Sequence, residues 1–459
     1  MMLEVQSPFD LSTIGSLEFT PNDAVEGLFQ NAQRASESPL SKHERIQILE
    51  KVIDKASGIR EEIAMLIASE GGKPLADATV EVDRGIQGIR NAIETLNAQA
   101  GEEIPMGLTP SSENRLAFTT REPIGTVVAI SAFNHPFNLV VHQVIPAVAT
   151  GCPVIIKPAL TTPLSCVKLV GLLHEAGLPK EWCQLAILDN EGSEQLVTDE
   201  RVRFFSFIGS AKVGWYLRSK LAPGTRCALE HGGAAPAIID SNVDIDSIVA
   251  PLVKGAFYHA GQVCVSVQRI FVSNDIKDAF AEAFTAAVKK LKTGDARLPD
   301  TEVGPLILPR EVDRVEEWVD EAVADGAQAL CGGKRISDTC FDPTVLLEPS
   351  KDSRVSSLEI FGPVACIYGY DKIDDAIERA NSLPVAFQAS VFSKDIDQAF
   401  YAAKRLNASA VMINDHTAFR VDWMPFAGRR TSGMGVGGIP HTMHEMTQEK
   451  LLVFKSPSL

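Results

Sequence analysis

A single cysteine, Cys264, stands in the stretch YHAGQVCVSVQR (residues 258 to 269), between a glycine-led turn and a short apolar run. Its neighbours Gly261, Val263, Val265 and Ser266 offer neither a metal partner nor a second thiol. Such a cysteine is either a small core residue or a nucleophile. Glu230 lies in CALEHGGAAP, after a strand-like run and before Gly232 and Gly233. A carboxylate there is a general base or a solvated turn residue. Asn134 ends the strand-like segment of AISAFNHPFN, as an amide donor or as the cap of the next helix. His135 beside it adds a donor or starts that helix. Lys157 follows the apolar run PVII, where a lysine is an exposed charge or reaches the crevice at a strand's carboxyl end. In FSFIGSAKVG, residues 205 to 214, Gly209 and Ser210 stand between a strand and a helical start. Backbone N–H groups at such a helix start suit a pyrophosphate, although the spacing is not G-x-G-x-x-G. LEIFGPV carries Glu359 and Phe361 on a loop.

The rest of the composition limits what this chemistry can serve. The chain has 459 residues, 45% hydrophobic and 22% charged, which suits two or three domains with a large buried core. The net charge of −16 argues against nucleic acid, whose binders neutralise phosphates with Lys and Arg. A local basic site for a small anion stays compatible with it. None of the eight cysteines forms C-x-x-C or falls at zinc-ligand spacing with a histidine, so no metal site is expected. The opening MMLEVQSPFD lacks a signal-peptide pattern, and no run of about 18 apolar residues marks a membrane span. The expectation is a reduced, cytoplasmic protein.

The elements that must position these residues can be read from periodicity. Residues 22 to 100 are helical: Ile46, Leu49 and Ile53, then Ile63, Leu66 and Ile67, recur at helical intervals until Gly71, Gly72 and Pro74. A second amphipathic stretch runs from Ala76 to Ala100. From Ile124 to Asp240 the short apolar runs TVVAI, PVIIKP, QLAIL, VRFFSFI and APAIID are separated by helical stretches such as 137 to 149 and 163 to 174. This is the pattern of buried parallel strands with crossover helices, an α/β doubly wound sheet. A second α/β region spans 241 to 435, with helices near 244 to 258, 275 to 291 and 309 to 325. NRLAFTTREP, residues 114 to 123, and the tail KLLVFKSP read as strands outside the two main units.

Taken together the motifs resemble those of the aldehyde dehydrogenase superfamily, in order and spacing, over nearly the whole chain. FN at 133–134 is similar to its aromatic-Asn motif and IIKPA at 155–159 to its cofactor lysine motif. FIGS at 207–210 is similar to F-T-G-S, and LEHGGAAP to L-E-L-G-G-x-x-P with His231 in place of Leu. GQVC at 261–264 is similar to G-Q-x-C, EIFGPV at 359–364 matches as it stands, and PFAGRRTSGMG at 425–435 is similar to P-F-G-G-x-K-x-S-G-x-G. The resemblance implies a Rossmann-like cofactor domain (1–105 and 125–232), an α/β catalytic domain (233–435) and a small β oligomerisation arm (106–124 and 445–459), assembled as a homodimer or homotetramer. It implies NAD(P)-dependent oxidation of an aldehyde to the acid. Cys264 would be the nucleophile, Asn134 and the backbone N–H of Cys264 the oxyanion donors, and Glu230 the base. Lys157, Gly209, Ser210, Gly214, Glu359 and Phe361 would hold NAD or NADP, with NAD slightly ahead.

Three departures from the family pattern bear on specificity. Leu160 stands where many NAD-preferring members carry a glutamate, so no carboxylate there repels a 2′-phosphate. The late loop reads GMGVGG where many members have G-R-E, leaving the base role to Glu230. Arg420, in NDHTAFRVDWMPFAG, is outside the general pattern. That loop resembles those of members acting on phosphonoacetaldehyde or sulfoacetaldehyde. With His135, Arg420 is read as the receptor for a small anionic aldehyde; the alternative is an ion pair with Asp415 or Asp422 that shapes the loop. Other substrates in view are glyceraldehyde 3-phosphate, lactaldehyde and succinate semialdehyde. A CoA-acylating relative and a non-catalytic binding protein are the competing classes.

Overall fold

The computed structural model describes residues 2–459. Two large sheets lie at its centre. The first has six strands in the order 433–434, 226–230, 204–208, 127–130, 154–157, 183–185. Five of them are parallel; Gly433–Met434 pairs antiparallel with Leu229 and Glu230. Every residue of Val127–Ile130 is buried, as a strand covered on both faces requires. One face packs Val127, Ala129, Val154 and Ile156 against helices Lys42–Gly58, Arg60–Gly71, Leu75–Ala98 and Asn138–Thr150. The other packs Val128, Ile130, Ile155 and Phe205 against Phe29, Leu196 and Leu217. The chain order reverses beside Val127–Ile130, which opens a crevice at the carboxyl ends of this strand and of Phe204–Ile208.

The second sheet has seven strands, in the order 328–331, 344–347, 364–370, 267–273, 235–239, 388–392, 410–413. Only Gln328–Cys331 is antiparallel to its neighbour. Two sequence expectations are corrected here. The run APAIID, grouped with the first set of strands, forms Ala235–Ile239 and pairs with 267–273 and 388–392 in the second sheet. Buried parallel strands look alike in either sheet; the crossing occurs at the two glycines after Glu230. Conversely, residues 433–434 return to the first sheet, although they lie inside the span assigned to the second. The N-terminal residues also form a hairpin, Met2–Gln6 with Thr13–Glu18, ahead of the helical region.

Arg115–Pro123 and Thr447–Lys455 pair antiparallel, with Glu103–Ile104 on the far side, in a small separate sheet. Leu451, Val453 and Phe454 are exposed on its outer strand.

Two crossover helices are capped from outside. Neither Asn138–Thr150 nor Leu164–Glu175 has a side-chain cap of its own. Glu81 accepts from the N–H groups of Phe137 (3.0 Å) and Asn138 (3.1 Å) and pairs with the fully buried Lys73. Glu70 accepts from the N–H groups of Leu164 (2.7 Å) and Ser165 (2.8 Å). The N-terminal helices thus supply the carboxylates that helix N-termini attract. Replacing Glu81 by Leu would strand Lys73 as an unpaired buried charge. Urea denaturation of Glu81→Leu is expected to show a loss of about 3–5 kcal/mol.

Candidate active site

The chain bends sharply before Cys264. Helix Ile245–Phe257 ends, and His259 (φ 49°), Ala260 (φ 54°) and Gly261 (φ 69°) follow in left-handed conformation. A Cβ on Gly261 would overlap the Gly362 carbonyl, so this position takes only glycine. Gln262 locks the turn: its Nε2 donates to Pro305 O (3.2 Å) and its Oε1 accepts from Ile307 N (2.9 Å). The Gln262 carbonyl accepts from the side-chain amide of Asn134 at 2.9 Å. Asn134 therefore does not cap the following helix, whose first N–H groups go to Glu81. Val263 and Val265 pack on Phe387 and Phe426, leaving the Cys264 side chain between them. Cys264 keeps partial exposure, whereas Cys152, Cys166, Cys183, Cys340 and Cys366 are buried.

That exposure is to a cavity of about 530 Å³. The cavity brings together Asn134, His135, Lys157, Gly209, Ser210, Glu230, Cys264, Glu359, Phe361 and Arg420, which come from both large sheets and their loops. Gly214 is the exception among the expected residues. It lies under the His231 ring, which a Cβ at this position would overlap. Its place is explained by close helix–strand packing, and it does not line the cavity. His231 in turn bonds Gly209 O through Nδ1 at 3.0 Å.

Charge is expensive in this enclosure. Burial pushes the Cys264 thiol well up; the Glu359 carboxylate adds to the rise, and Arg420 opposes it. Burial also raises Glu230, against the pull of Arg420. Glu359 is pushed up to about 8 by burial, although its Oε1 accepts from Gly233 N at 3.1 Å. Lys157 is lowered to about 8 by burial.

The end of the cavity near Arg420 holds residues that the sequence did not single out: Arg84, Asn138, His142 and Tyr258. Arg84, Asn138 and His142 meet around Asp422, which is 2% exposed. Asp422 accepts two bonds from Arg84 (Nε 3.0 Å, Nη2 2.7 Å), one from Asn138 Nδ2 (3.2 Å) and one from His142 Nε2 (2.7 Å). Arg420 stays 3.9 Å from the same carboxylate. Its guanidinium lies 3.4 Å from the centroid of the Phe426 ring, and its buried Nε has no hydrogen-bond partner. His135 lies against Tyr258, whose hydroxyl is 3.3 Å from its Nε2. No local signal marks Arg84, because its partner is 338 positions away.

The family model of the aldehyde dehydrogenase family matches residues 1–452. The 3-sulfolactaldehyde dehydrogenase of Priestia aryabhattai is 36% identical over 454 residues, 98% of this chain and 94% of that protein. The lactaldehyde dehydrogenase of Methanocaldococcus jannaschii is 35% identical over 461 residues, 98% of this chain and 97% of that protein. An aldehyde dehydrogenase of Physcomitrella patens, solved with the reaction product succinate, superposes with a TM-score of 0.96 at 34% identity, covering 99% of this chain and 95% of its own. The glyceraldehyde-3-phosphate dehydrogenase GapN of M. jannaschii, complexed with NADP, has a TM-score of 0.95 at 34% identity, with 99% of each chain covered.

The electrostatics of the cavity can be checked on the thiol. Glu359→Gln removes the neighbouring charge that most opposes the Cys264 thiolate. At pH 9, above the value of about 8 for Glu359, iodoacetamide should label Cys264 several-fold faster in this variant. At pH 6.5, with Glu359 protonated in the parent, the two rates should converge.

Proposed function

The chain belongs to the aldehyde dehydrogenase family, and on that premise we propose that it oxidises a small aldehyde with an anionic tail by way of a thioester on Cys264. It is an NAD(P)-dependent oxidoreductase. The residues present fit the dinucleotide. Ser210 precedes helix Ala211–Arg218 without capping it by its own side chain, so the first N–H groups of that helix remain for a phosphate. Lys157 and Glu359 at the cavity wall would hold ribose hydroxyls, with Phe361 beside them. Leu160 lines the same cavity and presents no charge against a 2′-phosphate, which suits NADP as well as NAD. When bound, the nicotinamide supplies the oxidising power by taking up a hydride.

The chain's own residues do the rest. Cys264 gives its proton to water, and the thiolate sulfur bonds the carbonyl carbon as the C=O π pair moves onto oxygen. The oxyanion is received by the Cys264 backbone N–H and by the second N–H of the Asn134 amide, whose first is held by Gln262 O. Losing one such donor costs about 10²–10³ in rate. After oxidation Glu230 takes a proton from water, the hydroxide adds to the thioester carbonyl, and the Cys264 thiolate leaves with release of the acid. A carboxylate beside the thiol favours water over CoA as the acyl acceptor.

The observation that carries the anionic tail is the condition of Arg420. Asp422, the counter-ion available to it, already receives Arg84, Asn138 and His142. Arg420 is attracted by Asp422 and by Glu230 but hydrogen-bonds neither, so its guanidinium keeps unfilled donors at the cavity wall. This matches a monoanionic tail, a sulfonate or carboxylate, better than a neutral aldehyde such as lactaldehyde. The exposed apolar residues of the small three-stranded sheet fit a homodimer or homotetramer, in which another subunit covers that strand edge.

Initial rates with sulfoacetaldehyde, succinate semialdehyde, phosphonoacetaldehyde, glyceraldehyde 3-phosphate, lactaldehyde and a neutral alkanal, each with NAD and with NADP, test this reading. Arg420→Ala should raise KM for an anionic aldehyde roughly 10- to 100-fold more than for a neutral one, the worth of a charge-assisted hydrogen bond. Equal effects would assign Arg420 to loop structure. Glu230→Gln should keep the first-turnover burst of NAD(P)H and slow steady turnover by about 10²–10⁴. Because burial raises the Glu230 pKa, its base form is lost as pH falls through a value above the ordinary carboxylate range. Thioester hydrolysis should show that acid limb in the parent and not in Glu230→Gln.

A further inference from the structure

We infer that His142 is a positioning residue that keeps Arg420 aimed at the substrate tail, by occupying the Asp422 oxygen onto which Arg420 would otherwise collapse. The inference rests on the reading of Arg420 as the anion receptor.

The geometry around one oxygen carries it. Asp422 Oδ1 accepts from Arg84 Nη2 at 2.7 Å, from His142 Nε2 at 2.7 Å and from Asn138 Nδ2 at 3.2 Å. Three donors fill its lone-pair directions. Arg420 Nε, buried and without a partner, stops 3.9 Å short of this same atom. Removing the His142 donor opens a place for it. Moving Arg420 Nε into that place would convert a free guanidinium into half of an internal ion pair.

The other ring nitrogen works in the same direction. A carboxylate only accepts, so Nε2 of His142 carries the proton and Nδ1 carries the lone pair. Nδ1 lies 3.5 Å from Arg420 Nη2, at the limit of a hydrogen bond that Arg420 donates. It is the one side-chain acceptor bonded to Arg420 among the described residues. Phe426, face-on to the guanidinium, sets its height but offers no acceptor to fix its rotation. His142 itself is 5% exposed, on helix Asn138–Thr150. It faces Asp422, Arg420 and Arg84, and burial with the two guanidiniums keeps its pKa below the ordinary histidine value. The neutral ring can therefore separate a cation from an anion without adding charge.

The experiment compares kcat/KM for succinate semialdehyde with that for a neutral alkanal of similar length, in the parent, His142→Leu, His142→Asn, Arg420→Ala and the double variant His142→Leu/Arg420→Ala. His142→Leu should lower the anionic-to-neutral ratio about tenfold, the worth of a charge-assisted hydrogen bond, through KM rather than kcat. His142→Asn restores an amide that can donate to Asp422 or accept from Arg420, and should recover a substantial part of the ratio. In the Arg420→Ala background, His142→Leu should change the ratio less than twofold, because the residue acts through Arg420. A ratio independent of position 142, or a loss that adds fully to that of Arg420→Ala, would overturn the inference while leaving Arg420 as receptor. A ratio indifferent to Arg420→Ala would overturn the receptor reading and this inference with it. The ratio is internal to each variant, so partial loss of folded enzyme does not disturb it.

Discussion

A carboxylate withdrawn from water must find donors, and this fold uses that demand to bind its parts together. Glu81 finds its donors in the backbone that starts helix Asn138–Thr150, and in Lys73. The start of that helix sets where the preceding turn lies, and the turn carries Asn134 and His135. Glu70 does the same for helix Leu164–Glu175, which follows the strand bearing Lys157. Asp422 draws the late loop onto two helices through Arg84, Asn138 and His142. Each unmet carboxylate would cost several kcal/mol, so these contacts hold the walls of the cavity in register.

Within those walls burial acts on every ionisable group in the direction of neutrality. It raises Cys264, Glu230 and Glu359 and lowers Lys157. Burial therefore shifts both Cys264 and Glu230 toward their neutral forms, which fits a reaction that begins when charged ligands enter and change the local field. The exceptions are the guanidiniums of Arg84 and Arg420, which do not lose their charge on burial. Arg84 is bonded to Asp422 and Arg420 is bonded to no carboxylate, and this asymmetry is the strongest statement the cavity makes about its substrate.

Much of this was legible in the residues themselves. Buried parallel strands appear as unbroken apolar runs, and Val127–Ile130, Val154–Lys157 and Phe204–Ile208 fall where those runs predict. The edge strand Thr447–Lys455 and its partner Arg115–Pro123 also follow from alternation. Ten of the eleven expected site residues line one cavity, because the family's motifs sit at strand ends and at the turns that follow them. Gly214 falls outside it: a glycine close to a phosphate turn and a glycine packed under a ring look the same in one dimension.

The sequence by itself pointed to the chemistry: a thiol after a glycine-led turn, an amide and a carboxylate at strand ends, and a Gly-Ser helix start. These are local features, written in a few adjacent residues each. Only the tertiary structure decided that residues 433–434 return to the first sheet, and which charges at the substrate end are bonded. Arg84 and Asp422 are 338 positions apart, and His142 and Asp422 are 280 apart. Whether a buried arginine is spent or free depends on how many donors already surround its counter-ion, and that count exists only once distant segments have packed.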